Sequence, residues 1–228
     1  MFTHKKALER QANPDHSIDI DLRSEWAGNL FDDTKIFESD QSNINDTIKN
    51  LSLVHSTEYI DSVKNPLGSY CLDPELLLTS ELWEASVEAS ASLFDLVKNS
   101  FEDENTTSIK WHLSRPGSHH AGPDYGMGFC LLNNLAYSAR RAQREGFANR
   151  VAILDFDVHH GNGTEDIFKD DDTVLTASIH AAPLFPGTGF ESSETSINYP
   201  IQARSPLKNN SEWISGIEYL INKIIEFD

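Results

Sequence analysis

Cysteine is scarce. Cys71 and Cys130 are the only two in 228 residues, and their separation is not that of a metal finger. This argues against a disulfide-stapled secreted scaffold and against a CxxC zinc site, and a reducing cytoplasm fits such usage. Long apolar runs are missing too. No stretch approaches the ~20 apolar residues of a membrane span, and Met1-Phe2-Thr3-His4-Lys5-Lys6 continues into charged residues without a signal-peptide core. The expectation is a soluble protein with no membrane partner. Positive charge is in deficit, with 18 Lys and Arg against 36 Asp and Glu and a net charge of -18. Such a surface repels phosphate backbones, so nucleic acid is excluded as an expected partner. It would attract a cationic one, such as a polyamine or a lysine-rich tail, although acidity can also serve solubility alone. There is no internal repeat or long low-complexity tract. The length suits one sizeable core, so residues 1–228 are expected to form a single domain or part of one.

What is present begins with periodicity. Residues 1–50 are polar and poorly periodic, with a turn signal at Asn13-Pro14-Asp15, and read as loops with short helices. From Ser80 to Ser100, Trp83, Val87, Phe94 and Val97 recur at helical spacing behind a Thr79-Ser80 cap, which predicts an amphipathic helix. Ile109 to Leu113 looks strand-like. Leu131, Leu132, Leu135, Ala136, Ala139 and Ala142 predict a helical face with Arg140, Arg141 and Arg144 opposite. Val151–Leu154 and Val174–Ile179 are dense in strand formers. Ile214, Ile217, Leu220, Ile221, Ile224 and Ile225 predict a last helix packed on a sheet. This alternation argues for an α/β protein with a parallel sheet flanked by helices, whose functional groups gather at the carboxyl ends of the strands.

Directly after the first of those two strands the chain reads Asp155-Phe156-Asp157-Val158-His159-His160-Gly161-Asn162-Gly163. If strand geometry continues, Asp155, Asp157 and His159 share one face. Carboxylate oxygen and imidazole nitrogen are both good zinc ligands, and a catalytic site uses three protein ligands with one position left for water. Two such ligands are supplied here. Taken alone, the same residues could equally be a hydrogen-bonded loop. A second cluster, Arg115-Pro116-Gly117-Ser118-His119-His120-Ala121, adds two adjacent imidazoles, which are natural proton carriers near neutral pH.

These segments occur together with Gly126-Met127-Gly128-Phe129-Cys130, Asn133-Asn134, Ser178-Ile179-His180 and Phe185-Pro186-Gly187-Thr188-Gly189. In that order the chain resembles the histone deacetylase and acetylpolyamine amidohydrolase family, with a flavour closer to class II and bacterial members. Segments around His55 and from Asp73 to Ala85 resemble it more loosely. The resemblance implies an arginase/deacetylase-like sheet and a zinc-dependent hydrolysis of an acetamide. Asp157 and His159 match metal ligands, for zinc or alternatively iron(II). His120 matches the general base and acid with Asn162 oriented toward it, His119 the histidine that stabilises the transition state, and Asp155 the residue that orients the first histidine. Asp155 also matches a ligand of a structural potassium ion, with carbonyls around Ser178 and Ile179. Gly128, Phe129 and Phe185 match the lining of a narrow substrate tunnel, and Asp73 an acidic residue that grips the substrate. The implied substrate is an acetylated cationic amine, on a protein lysine or a polyamine.

The family's third metal ligand and its oxyanion tyrosine have no match, and Tyr199 in Ile197-Asn198-Tyr199-Pro200 is no obvious replacement. The expectation is therefore a truncated domain, incomplete at the C-terminus, with weakened zinc affinity, reduced activity and exposed strand edges that another chain or an oligomer would have to cover. Two other readings stand beside this one: a catalytically dead relative kept for binding, and an arginase-like binuclear hydrolase. The latter would want more paired aspartates.

Overall fold

The computed structural model describes residues 2–3, 35–36, 41–65, 70–74, 76–102, 109–203 and 210–227. Of the loop-rich reading of 1–50, residues 1, 4–34 and 37–40 lie outside the described residues. Contacts group the chain into two units, 1–147 and 148–228.

In the first unit, β1 (Phe2–Thr3) lies between β2 (Lys35–Ile36) and β5 (His112–Leu113) in a short parallel sheet. Helix α1 (Gln41–Asn50), a 3-10 turn (Leu51–Leu53) and α2 (Thr57–Lys64) precede an antiparallel hairpin of β3 (Tyr70–Asp73) and β4 (Leu76–Leu78). Then come α3 (Ser80–Glu102) and α4 (Asn134–Arg144), which pack on each other. Helix α3 forms where the periodicity predicts. The Thr79 hydroxyl accepts from the Leu82 N–H, and Trp83, Val87, Phe94 and Leu96 are buried. Ser86 and Ser90 lie on its buried side, and each donates its hydroxyl to the carbonyl four residues back, which removes the cost of burying them.

Helix α4 corrects the sequence reading. Leu131 and Leu132 precede it rather than belong to it, Leu135 is 38% exposed, and Arg141 is turned inward at 5%. The Arg141 guanidinium lies 4.4 Å from the Phe94 ring centroid and donates to Asp46, Glu145 and the Tyr137 hydroxyl. A fixed planar cation with two carboxylates and two aromatic rings around it can be buried where a counted charge suggests a solvated face. Arg141→Ala is expected to destabilise the fold by about 2–4 kcal/mol, through lost charge-assisted bonds and ring packing; urea unfolding of the variant checks this.

In the second unit, β6 (Val151–Asp155), β7 (Val174–Ala182) and β8 (Ser196–Gln202) form a parallel sheet with β7 in the middle. Helices α5 (Asn162–Phe168) and α6 (Asn210–Glu226) pack against it. Because β7 is central, its side chains are buried along nearly its whole length, as the apolar run requires. Ile217, Leu220 and Ile224 of α6 meet Ala177, Ile179 and Ile197 in the core. The other three residues of the predicted apolar face do not: Ile214, Ile221 and Ile225 are exposed. At about 100° per residue they form a second stripe, roughly 90° round the helix from the packed one.

Candidate functional site

In the first unit the histidine pair sits on a tight turn. The Ala121 N–H donates to the Ser118 carbonyl, which places His119 and His120 at its two central positions. Their rings lie 3.9 Å apart and tilted by 39°, with His120 buried to 3% exposure. The turn is held from both ends. The Asn133 side chain donates to the Ala121 carbonyl and accepts from the Ser118 hydroxyl, while also capping α4 at Ala136. His55, buried, reaches in from the start of α2. Its Nδ1–H donates to the Gly122 carbonyl at 2.8 Å, and its Nε2 accepts from the Asn133 N–H at 3.0 Å.

Nearby, Met127 and Cys130 exchange both backbone hydrogen bonds around Gly128 and Phe129, whose φ angles are 53° and 64°. Two positive φ values in a two-residue turn are the pattern of type I′, which glycine meets freely and phenylalanine only at a steric cost of about 1–2 kcal/mol. Of the residues matched to substrate contacts, Asp73 and Gly128 are brought together: the Gly128 N–H donates to Asp73 Oδ2 at 2.8 Å.

In the second unit, Asp155 ends β6, and the strand does not continue. This corrects the expectation that strand alternation sets the faces of Asp155, Asp157 and His159. Instead Asp155 Oδ1 accepts from the Asp157 N–H, and Asp157 Oδ1 from the His159 N–H, so each aspartate folds the chain back over the next two residues. The result still brings two donors together, with His159 Nδ1 3.4 Å from Asp157 Oδ1. Phe185 stands edge-on to the His159 ring at 5.8 Å. Asn162 opens α5. Asp155 is the cross-strand partner of Ser178, and a recess beside the carboxyl end of β6 and the middle of β7 is lined by Asp155, Thr164, Glu165 and Ser178. Ile179 is buried in the core.

Sequence reasoning missed a buried network beside these residues. His160 donates from Nε2 to Glu165 Oε2, and its Nδ1 lies 2.8 Å from the Thr188 hydroxyl. Asn198 donates to the same Glu165 oxygen, and His180 donates to the Gly189 carbonyl. Burial alone would raise the Glu165 carboxyl, but hydrogen bonds from His160 and Asn198 outweigh it and hold it below its ordinary value. Burial, and then the charge of His160, push the His180 imidazole down. The only sequence signal was the doubled histidine, which does not say which imidazole faces inward.

Residues 22–227 match the histone deacetylase domain. The chain belongs to that family. Its match to the histone deacetylase domain crosses the boundary between the two units. An uncharacterised protein of Methanocaldococcus jannaschii is 31% identical over 98% of this chain and 65% of its own length. Acetylpolyamine amidohydrolase 2 of Pseudomonas aeruginosa is 35% identical over 72% of this chain and 48% of its own. Among solved structures, the HDA15 HD domain superposes with a TM-score of 0.68 at 28% identity, covering 87% of this chain and 62% of that one. The α/β deacetylase fold expected from the sequence is thus the fold observed. This histone deacetylase family chain spans about half to two-thirds of the length of these relatives.

The zinc implied by the family can be tested against the donors present. Two ligands at about 2.0–2.1 Å from a tetrahedral ion lie roughly 3.3 Å apart, and Asp157 and His159 meet that spacing. They fit two of the three protein ligands of a catalytic zinc. Among the described residues no group of three or more His, Cys, Asp or Glu side chains could hold a metal. The described residues also include no helix long and apolar enough to cross a membrane.

His55 gives the site a pH dependence. Burial, the largest influence, pushes its imidazole from 6.5 down to about 4, against the Gly122 and Pro123 carbonyls and the Asp124 charge. The unfolded chain therefore binds a proton that the folded chain refuses between pH 6.5 and 4. Stability is full above pH 6.5 and is lost as pH falls toward 4, by on the order of 3 kcal/mol. Urea unfolding between pH 7 and 4.5 should show this slope, and His55→Gln should flatten it.

Proposed function

We propose that this chain carries part of the machinery of a metal-dependent amide hydrolase, one that removes the acetyl group from an acetylated cationic amine, on a lysine or a polyamine. The observation that carries the reading is the Asp157–His159 donor pair, at zinc-ligand spacing beyond the carboxyl end of a parallel strand, in a chain of the deacetylase family. Asp157 and His159 would hold the metal. When bound, zinc polarises a carbonyl and acidifies water.

The remaining roles fall to side chains. His120 accepts a proton from water and returns it to the amine nitrogen; the C–N bond breaks, a C–O bond forms, and acetate and free amine leave. His119 donates to the oxygen that gains charge, and Asn162 and Asp155 match the family's orienting residues. Gly128 and Phe129 of the first unit and Phe185 of the second match the family's lining of the acylated amine's path, and Asp73 its acidic gripping residue. Asp155 with the Ser178 and Ile179 carbonyls would hold potassium. A net charge of -18 favours a cationic substrate over nucleic acid.

The test is an assay of acetylputrescine and an acetyl-lysine peptide before and after chelation, with zinc added back. Acetate release that disappears on chelation and returns with zinc is expected; release that persists without metal would sink the proposal. A second reading, a deacetylase-like binding protein, is favoured by the lack of a three-donor group among the described residues. Under that reading both substrates are bound and neither is cleaved.

A further inference from the structure

We propose that His55 is a positioning residue for the histidine pair, its neutral imidazole pinning the His119–His120 turn to the head of α4. The geometry carries this. His55 is 3% exposed and bonds at the same time to Gly122, two residues past His120, and to Asn133, whose side chain grips both ends of the turn. Asn133 has no freedom to pivot, because its Oδ1 also caps Ala136.

Only one tautomer satisfies both contacts. Nδ1 must carry the hydrogen to reach the Gly122 carbonyl, and Nε2 must be bare to accept from the Asn133 N–H. A cationic imidazole would face the Asn133 N–H with a second N–H, so the turn is braced only while His55 is neutral. Burial keeps it so down to about pH 4. The groups around it do not reverse that: Tyr59 presents its ring at 5.5 Å, the charge of Asp124 raises it less than burial lowers it, and the Ser56 N–H is engaged by the Pro123 carbonyl. A core histidine that merely fills space has no need to link the exit of the turn to the backbone of the residue whose side chain clamps it.

The inference rests on the reading of His119 and His120 as proton carriers. Its test reads their rings directly, so the two can fail separately. In the 15N-labelled full chain, a coupling across the hydrogen bond from the Asn133 nitrogen to His55 Nε2 is expected. In His55→Asn, which can keep the Gly122 bond, and His55→Gln, which can keep an acceptor for Asn133, the ring signals and titration midpoints of His119 and His120 should move, with His55→Ala moving them furthest. Ring signals that coincide with the wild type in a folded variant would overturn the role. If no variant folds, absence of the wild-type coupling overturns it. By contrast, an unchanged rate in His120→Ala would remove the base while leaving the ring displacement in place.

Discussion

Replacing His120 with alanine is expected to lower kcat for acetamide hydrolysis by about 10²–10⁴, the usual contribution of a positioned acid–base group, with KM changed far less. Ser118 to Ala121 closes on itself, so two imidazoles are forced within 3.9 Å of each other, one of them buried. Two positive charges that close repel by about 4 kcal/mol at an effective dielectric of 20. Both rings carrying a charge at once is therefore disfavoured. His120, the more buried, is the ring with least access to bulk water as a competing proton source. Steady-state kinetics on His120→Ala and His119→Ala, with circular dichroism to establish folding, decides the matter. An unaltered kcat in folded His120→Ala removes the proposed base.

Gly189→Ala is expected to destabilise the protein by about 2–5 kcal/mol, and Gly187→Ala by only about 1–2. Both glycines have positive φ, 79° and 84°, so each substitution bears the same left-handed penalty. They differ in what the new methyl meets. At Gly187 nothing lies within 4 Å, whereas at Gly189 a Cβ would stand 2.6 Å from both the His160 and the His180 rings. Those rings cannot step aside, since His160 is tied to Glu165 and Thr188 and His180 to Ser178 and the Gly189 carbonyl itself. Urea unfolding of the two variants reads the difference. Equal losses would mean that the imidazole network is soft and does not hold the Phe185–Gly189 loop.

Strand and helix identities were legible because burial imposes period on sequence: the Val174 run lies on a central strand and the Trp83 pattern on a long helix. Polar anchoring was not legible. Nothing in the spacing of Leu135 and Arg141 says that the arginine turns inward, because that depends on Phe94, Asp46 and Tyr137, which are distant or unremarkable in sequence. The Asp155–His159 segment shows the same limit. Strand alternation puts Asp155, Asp157 and His159 on one face, whereas side-chain carboxylates fold the backbone and bring only Asp157 and His159 together. Asp73 and Gly128 meet across 55 residues through a single bond that no local pattern could announce. His55 stood in a loosely matching segment, and its two partners lie 67 and 78 residues away.

Adjacent histidines invite the idea of a spare: were one imidazole lost, its neighbour could take over. His159 and His160 do not work that way. Both ring nitrogens of His160 are occupied, one by a carboxylate and one by a hydroxyl, so it has no lone pair to lend. A cation held by Asp157, as proposed, would therefore find one imidazole of this pair to bind, and the doubling in the sequence carries no redundancy.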